Sequence, residues 1–316
     1  MAYKKILVCA IIVVIISLVF LTFVNDAMSI ETHNTGENSS SGMSNAIWVK
    51  AEDMHSIDFN KLKSAHIDTV FLNYGAIDTY GKDDVISWVG SANNNGINVH
   101  IWMQVLYQDG FQNPLNSNGD INQDLLNKDI NDSREYASIP GIKGIVLDYI
   151  RYPGNASDYK GSSDAVSVFV NTLANNIREV NGNLIVSGTL MPEVSELVSS
   201  YGQDLNNLTD SLDYIIPMMY KGNYNQDSYW VETTTNHFVD DSGDAKVVVS
   251  LMAYKSDENI NLIGSGELED DIAEAYVGGA NDVAIFRYGL TDFKDFDTTV
   301  HLNTLDIIRI RLSSIF

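Results

Sequence analysis

The chain of 316 residues contains one cysteine, Cys9. A single cysteine can form no disulfide within the chain and cannot supply a cysteine-based zinc site. Only 5 residues are proline and 45% are hydrophobic, a composition typical of a globular protein and not of a disordered one. The length is sufficient for one large domain of about 250 residues and an appendage.

Basic side chains are scarce. Lysine and arginine together number 19 against 42 aspartates and glutamates, which gives a formal net charge of -23. Such a field repels polyanions, so nucleic acid is not an expected partner. The acidic surface is typical of a protein that stays soluble in a salty or extracellular medium.

Several catalytic and binding motifs are missing. No GxGxxG and no GxxxxGKS/T follows an apolar run, which argues against a nucleotide-binding sheet. The six histidines form no HExxH or HxH, so no catalytic zinc is expected. There is no GxSxG motif, and the only cysteine lies in an apolar segment, so serine and cysteine nucleophiles are disfavoured. The sequence therefore predicts no metal and no cofactor.

The N-terminus carries a long apolar run. Lys4 and Lys5 precede an apolar stretch over residues 6–24, close to the roughly 20 residues that span a bilayer. Because the lysines favour the cytoplasmic side, residues 1–25 are predicted to be a signal-anchor, with a cleaved signal peptide as the alternative. Residues 26–45 are rich in Ser, Asn and Gly and predict a flexible linker, which leaves 46–316 as an extracellular domain.

From residue 46 onward, short apolar runs alternate with longer polar or amphipathic stretches. Each run is continuous in hydrophobicity, as expected of parallel strands covered on their outer side. Helices are predicted over 83–96, 164–180 and 266–279, the last two with apolar residues at helical spacing, and Gly96 and Gly278 are expected to end helices in a left-handed turn. Eight strand-then-helix units predict a (β/α)8 TIM barrel in preference to an open doubly wound sheet. The eight runs are 46–49, 69–74, 98–105, 144–149, 184–190, 214–220, 246–254 and 282–288.

Active sites of such barrels lie at the carboxyl ends of the strands. Carboxylates, amides and aromatic residues follow the predicted strands here, a lining that suits sugars because their ring faces stack on aromatic rings. The predicted substrate-binding residues are Asn73, Gln104, Arg151, Tyr152, Tyr220, Tyr254 and Arg287.

Asp148 is the first catalytic candidate. It ends the apolar run GIVLD, where an isolated ionised group is costly without partners. Glycoside hydrolysis usually needs two carboxyl groups, about 5–5.5 Å apart in retaining enzymes and roughly 6.5–9.5 Å apart in inverting ones. We expect Asp148, held ionised by Arg151, to act as nucleophile or base. The alternative is a structural Asp148–Arg151 salt bridge.

Glu193, just beyond the fifth strand, is the second catalytic candidate. In a less polar environment it would keep a proton and act as the acid. The alternative is a carboxylate in the first turn of a helix, stabilised by the helix dipole. Glu52 and Asp53 are the reserve acids.

The run GIVLDYIRYP resembles the fourth-strand signature of glycoside-hydrolase-like TIM barrels, and SLDYIIPMMY and DVAIFRYGL extend the resemblance to two later strands. The resemblance implies a (β/α)8 barrel, an extracellular setting and action on a polysaccharide. The motif is also similar to that of family 18 chitinases, with Asp148 in the place of their last aspartate. Ile150 stands where their catalytic glutamate would be, so their substrate-assisted mechanism is not implied.

Three functions stay open at this stage. The first is a membrane-anchored extracellular glycoside hydrolase that acts on a cell-envelope or environmental polysaccharide. The second is a non-catalytic carbohydrate-binding barrel, and the third is a structural or adhesion protein of the cell surface. A second acid close to Asp148 would favour hydrolysis over binding.

Overall fold

The computed structural model describes residues 42–294 and 296–298. Eight parallel strands close into a barrel in which each strand pairs with its neighbour along the chain and the last pairs with the first. The predicted eight-stranded barrel is therefore confirmed. Its strands are β1 (Ala46–Val49), β2 (Thr69–Asn73), β3 (Asn98–Gln104), β4 (Gly144–Asp148), β5 (Ile185–Leu190), β6 (Tyr214–Met219), β7 (Lys246–Met252) and β10 (Asp282–Phe286).

Helices follow the strands and cover the outside of the barrel. The three predicted helical segments correspond to the helices Lys82–Asn94, Ser162–Val180 and Ser265–Val277. Short 3-10 turns occur at Ala51–Ser56, Ala156–Asp158, Val194–Glu196 and Lys221–Tyr224, and one π-helical turn at Leu197–Tyr201. The α-helices are α1 (Phe59–Ser64), α2 (Gly75–Tyr80), α3 (Lys82–Asn94), α4 (Gln123–Ala137), α5 (Ser162–Val180), α6 (Leu205–Thr209), α7 (Ser228–Asp241) and α8 (Ser265–Val277).

Two apolar layers hold the barrel together. Alternate strand residues point outward and pack under the helices, as Val99 and Ile101 do in β3. The others point inward, as Trp102 does, and form a separate cluster inside the barrel. Both faces of each strand are therefore buried, which explains the continuous hydrophobicity of the strand sequences.

His100 lies inside the barrel and is fully buried. Its ring packs 5.7 Å from that of Phe71 and lies against Gly144, where a Cβ would come within 2.5 Å of the imidazole Nδ1. Burial lowers the pKa of His100 to about 3, so the ring stays neutral. The ring of His100 therefore fills part of the barrel interior, below the carboxyl ends of the strands.

The glycines at two helix ends differ from each other. Gly96 has φ +73° and ends α3 in the expected left-handed turn. At the end of α8 that turn is made by Gly279, with φ +96°, whereas Gly278 has φ -69°, so the prediction for Gly278 was wrong. A glycine is needed at position 278 because of close packing: a Cβ there would lie 2.5 Å from the carbonyl oxygen of Glu232.

A small antiparallel hairpin, β8 (Tyr254–Ser256) and β9 (Asn259–Leu262), follows β7. The predicted seventh strand, 246–254, therefore ends early, at Met252. The hairpin packs closely on the 3-10 turn after β6, because a Cβ at Gly222 would overlap the carbonyl oxygen of Lys255. This contact fixes the hairpin at the carboxyl end of the barrel.

The compact unit that contains the barrel begins at Met43. The backbone N–H of Met43 donates to the Tyr214 hydroxyl at 3.0 Å, and the Asn45 carboxamide oxygen accepts from the Tyr276 hydroxyl at 2.8 Å. The predicted signal-anchor over 1–25 lies outside the described residues, as does most of the predicted linker. In the part of the chain that the structure describes, no helix has both the length and the apolar character needed to cross a membrane.

Candidate active site

A cavity of about 300 Å³ opens at the carboxyl end of the barrel. Four of the predicted site residues line it: Gln104, Asp148, Arg151 and Tyr220. Its remaining walls include two residues that the sequence analysis did not select, Asn223 and Asp257, together with aromatic side chains from several strands. The cavity thus combines carboxylates, amides, one cation and aromatic rings.

Aromatic rings form the floor of the cavity. Trp48 packs edge-on against Trp102, with ring centroids 5.1 Å apart, and Phe286 lies 6.3 Å from both. Tyr220 extends this surface and lies 5.4 Å from Phe286. These rings come from β1, β3, the end of β6 and β10, so the closure of the barrel brings them together.

The floor also contains a chain of hydrogen bonds. The indole N–H of Trp48 donates to the Ser250 hydroxyl at 3.0 Å, and that hydroxyl lies 3.2 Å from the hydroxyl of Tyr220. Burial raises the pKa of Tyr220 well above its usual value, so its hydroxyl stays protonated and can hydrogen-bond a ligand.

Asp148 lies at the edge of this floor, at the end of β4, and is 7% exposed. Its Oδ2 accepts from the indole N–H of Trp102 at 2.8 Å. Its Oδ1 accepts from the Thr189 hydroxyl at 2.7 Å and from the backbone N–H of Tyr149 at 2.8 Å. The carboxyl group is therefore fixed in position by three donors from three strands or strand ends.

Burial raises the pKa of Asp148 above its usual value. The three hydrogen bonds and the charge of Arg151 act in the opposite direction but do not outweigh the loss of hydration. The charge of Arg151 favours the ionised form of Asp148, as expected, but it is a smaller cause than burial. Of the ion pairs formed among described residues, none joins Asp148 to Arg151, so the structural salt bridge is not formed.

Tyr149, directly after Asp148, has φ +54°, a left-handed conformation that is uncommon for tyrosine. This turn directs its backbone N–H to Asp148 and its ring to the cavity wall, where it packs 4.5 Å from Tyr107 and 5.7 Å from Phe111. Arg151 follows on the same wall, with its guanidinium carbon 5.4 Å from the centroid of the Tyr149 ring.

Glu193 lies beside the cavity, behind Tyr224. Its Oε1 accepts from the Tyr201 hydroxyl at 2.7 Å and its Oε2 accepts from the Tyr224 hydroxyl at 3.2 Å. Burial, with the neighbouring Glu193 carboxylate as a second cause, raises the pKa of Tyr201 to about 12. Tyr224 lines the cavity whereas Glu193 does not, so Glu193 contacts the site through a tyrosine.

Asp257 is the second carboxylate on the cavity wall. It lies in the turn of the β8–β9 hairpin and is held by Asn223, whose side chain donates to Oδ2 at 2.8 Å and accepts from the Asp257 backbone N–H at 2.9 Å. The Tyr254 hydroxyl donates to its Oδ1 at 3.3 Å. The charges of Asp148 and Asp257 both contribute, after burial, to the raised pKa values of Tyr149 and Tyr220. These two tyrosines therefore lie within electrostatic reach of both carboxylates.

Two predicted tyrosines support the site from behind. Tyr152 is 2% exposed, donates from its hydroxyl to Asn113 at 2.9 Å and stacks on Tyr159 at 5.3 Å. It is not part of the cavity lining, so it offers no platform for a sugar there. Tyr254 positions Asp257 and borders a separate cavity of about 180 Å³ behind the hairpin.

Asn73 and Arg287 also lie at the carboxyl ends of their strands without lining the cavity. The side-chain oxygen of Asn73 accepts from the backbone N–H of Gly75 at 3.0 Å and fixes the turn after β2. Arg287 forms an ion pair with the reserve acid Asp53 at 3.7 Å. The other reserve acid, Glu52, is exposed and pairs with Lys50 at 3.5 Å.

No group of His, Cys, Asp or Glu residues among residues 42–294 and 296–298 has an arrangement that would hold a metal ion. The polar residues on the cavity wall are instead an arginine, two amides, two carboxylates and three tyrosines. This set can hydrogen-bond hydroxyl groups and transfer protons.

Residues 120–242, from the loop before α4 to just past α7, match a protein family described as "Putative glycosyl hydrolase domain". The matched stretch contains the motif GIVLDYIRYP and therefore Asp148. The predicted resemblance to glycoside-hydrolase-like barrels is confirmed by this match. No curated protein matches the chain at a significant level.

Solved structures share the fold. The glycoside hydrolase domain of PgaB (BpsB) from Bordetella bronchiseptica superposes with a TM-score of 0.62 at 11% identity, over 79% of this chain and 95% of that domain. A class V chitinase from Pseudomonas fluorescens Pf-5 gives 0.58 at 14% identity, over 79% and 96% of the two chains. An endo-1,4-β-D-mannanase from Thermotoga petrophila gives 0.55 at 10% identity, over 87% and 99%. At such low identity, these similarities show that the barrel fold is shared.

Proposed function

We propose that the chain is a glycoside hydrolase and that Asp148 is its proton donor. The observation that carries the proposal is the position of Asp148: it is buried on an aromatic floor at the carboxyl end of a TIM barrel, with a raised pKa. The family match over residues 120–242 supports the same function. Sugar rings would stack on the aromatic floor while their hydroxyls meet Gln104 and Asn223.

The raised pKa gives Asp148 the role of general acid. Hydrolysis of a glycosidic bond requires a proton on the leaving oxygen as the bond to the anomeric carbon breaks, and a carboxylic acid that stays protonated at higher pH can supply it. Oδ1 already accepts two hydrogen bonds, whereas Oδ2 accepts one, from Trp102. Oδ2 is therefore the oxygen that carries the transferable proton.

Asp257 supplies the second carboxylate of the pair that such hydrolysis requires: it either takes a proton from the water that attacks the anomeric carbon or attacks that carbon itself before water replaces it, while the leaving oxygen takes the proton of Asp148. It lines the cavity that Asp148 lines, whereas both oxygens of Glu193 accept hydrogen bonds from tyrosines beside the cavity. A second acid in the same cavity also favours hydrolysis over the non-catalytic carbohydrate-binding barrel. In this assignment Glu193 positions Tyr224 and does not touch the sugar.

Release of reducing sugar from a panel of polysaccharides by the full chain tests the proposal. We expect turnover on at least one polysaccharide, a loss of about 10²–10⁴-fold in kcat for Asp257→Asn, and less than about tenfold for Glu193→Gln. Binding of a polysaccharide without any product would favour the carbohydrate-binding barrel. A larger loss for Glu193→Gln than for Asp257→Asn would return the second catalytic role to Glu193.

The location of the enzyme is part of the same proposal. The apolar run over 6–24, preceded by Lys4 and Lys5, supports a signal-anchor that leaves the barrel outside the cell. A polysaccharide of the cell envelope or of the environment would be accessible to a domain in that position.

A further inference from the structure

Arg151 differs from the other arginines of the described part of the chain. It forms no ion pair with a described carboxylate, although the protein carries 42 acidic residues. Its guanidinium lines the cavity that contains Asp148 and Asp257. The other three described arginines each pair with a carboxylate: Arg134 with Glu179 at 2.8 Å, Arg178 with Asp213 at 3.0 Å, and Arg287 with Asp53 at 3.7 Å.

Aromatic rings from three successive loops hold the guanidinium of Arg151 in place. Its central carbon lies 4.9 Å from the ring centroid of Phe111, 5.4 Å from that of Tyr149 and 5.8 Å from that of Tyr201. Such cation–π contacts stabilise the guanidinium without using its N–H donors. One donor reaches the backbone oxygen of Tyr152 at 3.2 Å. A guanidinium carries five N–H donors, so others stay available.

A fixed guanidinium with free donors on a cavity wall is suited to binding a carboxylate. The two groups form paired, charge-assisted hydrogen bonds, and a preorganised arginine loses little side-chain entropy when it makes them. We propose, on the basis of the glycoside hydrolase function above, that the substrate is a polysaccharide bearing uronic acid residues and that Arg151 binds the uronate carboxylate.

The charge of the protein restricts this substrate further. A net charge of -23 repels a polymer with a negative charge on every unit. The aromatic floor formed by Trp48, Trp102 and Phe286 favours the uncharged faces of sugar rings. The cavity therefore fits a chain of mostly neutral sugars in which single uronates occur at intervals.

A different role for Arg151 would be to tune Asp148, since its charge lowers the pKa of that carboxyl group. The two roles predict different behaviour. Tuning of Asp148 changes catalysis equally for acidic and neutral substrates, whereas carboxylate binding changes affinity for the acidic substrate alone.

Matched oligosaccharides distinguish the two roles. The probes are oligosaccharides from glucuronoxylan and from hyaluronan, each compared with its own carboxyl-reduced form, which has the same linkages without the charge. Dissociation constants are measured by calorimetry on the full chain carrying Asp148→Asn, so that turnover does not consume the probe. We expect at least one acidic probe to bind about tenfold or more tightly than its reduced form.

Substitutions then assign that preference to a residue. Arg151→Gln should remove the preference for the acidic form over its reduced form, and Arg151→Lys should keep part of it. Arg134→Gln, which removes an arginine from the ion pair with Glu179 on the outer helices, is the matched control and should keep the full preference. Equal binding of acidic and reduced forms by the chain carrying Asp148→Asn, or an unchanged preference when Arg151→Gln is added to that chain, would overturn the inference.

The failure of this inference is distinguishable from failure of the hydrolase. If the chain cleaves neutral polysaccharides and shows no preference for acidic probes, the uronate site is refuted and the hydrolase stands. If acidic probes bind through Arg151 and no polysaccharide is cleaved, the uronate site stands and the hydrolase is refuted.

Discussion

Burial and hydrogen bonding act on Asp148 in opposite directions. Hydrogen bonds from Trp102, Thr189 and the Tyr149 backbone favour the ionised carboxylate, whereas loss of hydration favours the protonated acid. Since the net effect is a raised pKa, Asp148 keeps its proton to higher pH than an exposed aspartate. The same hydrogen bonds hold it in one orientation, which a proton donor also requires.

Removal of one of those donors should move the pH dependence in a defined direction. Thr189→Val deletes the hydroxyl that donates to Asp148 at 2.7 Å and lowers its pKa, so the pKa of Asp148 should rise further. Activity that needs the protonated acid is lost as pH rises through this pKa. The alkaline limb of kcat/KM should therefore shift to higher pH, as a pH–rate profile would show.

Thr235→Val is the control for this substitution. Thr235 is a buried threonine on α7, away from the cavity lining, and its hydroxyl has no hydrogen-bond partner in the described part of the chain. The pH–rate profile of the Thr235→Val variant should match that of the parent protein. A shift of the Thr189→Val profile to lower pH would contradict the assignment of Asp148 as the acid.

A second buried aspartate should affect stability and not catalysis. Asp129 on α4 is fully buried, accepts from Gln108 at 3.4 Å and leaves its Oδ2 without a hydrogen bond to any described residue. Burial raises its pKa to about 7. In the unfolded chain the group ionises near pH 4, so between about pH 4 and 7 the native state binds more protons and stability falls as pH rises.

Asp129→Asn should therefore stabilise the protein at pH 8 by on the order of 2–4 kcal/mol relative to the parent and change little at pH 4. Urea unfolding at several pH values measures the difference. Asp124→Asn, on the exposed side of the same helix, should show no such pH-dependent gain. A pH-independent effect of Asp129→Asn would refute the role of its ionisation.

The sequence located Asp148 because a carboxylate at the end of a continuous apolar run needs a special environment. It did not show which later residues reach the cavity. Tyr149 adopts φ +54°, a conformation that its residue type disfavours, and Tyr152 consequently packs behind the loop against Tyr159. Such turns depend on tertiary contacts that neighbouring residues do not encode.

At the level of secondary structure, the carboxyl ends of the barrel strands and the β8–β9 hairpin position the residues of the site. The strands were predictable because both of their faces are buried, which makes each run continuously apolar. The hairpin was not, since its two strands are only three and four residues long and all four residues of β9 are exposed. Asp257 was missed for that reason, because its place on the cavity wall depends on distant contacts with Asn223 and Gly222.

Gly222→Ala tests the role of the hairpin. The added Cβ would overlap the carbonyl oxygen of Lys255, so the hairpin must move and Asp257 with it. We expect kcat to fall by about 10²-fold, since a displacement of about 1 Å has effects of that size, while most of the protein stays folded. Gly266→Ala, where nothing lies within 4 Å of the new Cβ, is the control. Equal activity of the two variants would show that the hairpin does not position a catalytic group.

The whole molecule combines an acidic barrel with an apolar N-terminal run. We predict that protease added to intact cells degrades the barrel, residues 46–316, because the proposed signal-anchor would leave it outside the membrane. Immunodetection of the domain before and after digestion, with a cytoplasmic protein as control, measures this. Full protection of the domain in intact cells would contradict the extracellular location.

The central claim is that the carboxyl group of Asp148 takes part in the reaction. Asp148→Asn keeps the shape of the side chain and removes the transferable proton. Turnover and melting temperature should be measured on the same sample, with a polysaccharide that the parent chain cleaves. The account predicts a fall in kcat of about 10²–10⁴-fold in a folded protein that still binds the polysaccharide. Full activity in Asp148→Asn, or a loss of activity no larger than the loss of folded protein, would contradict it.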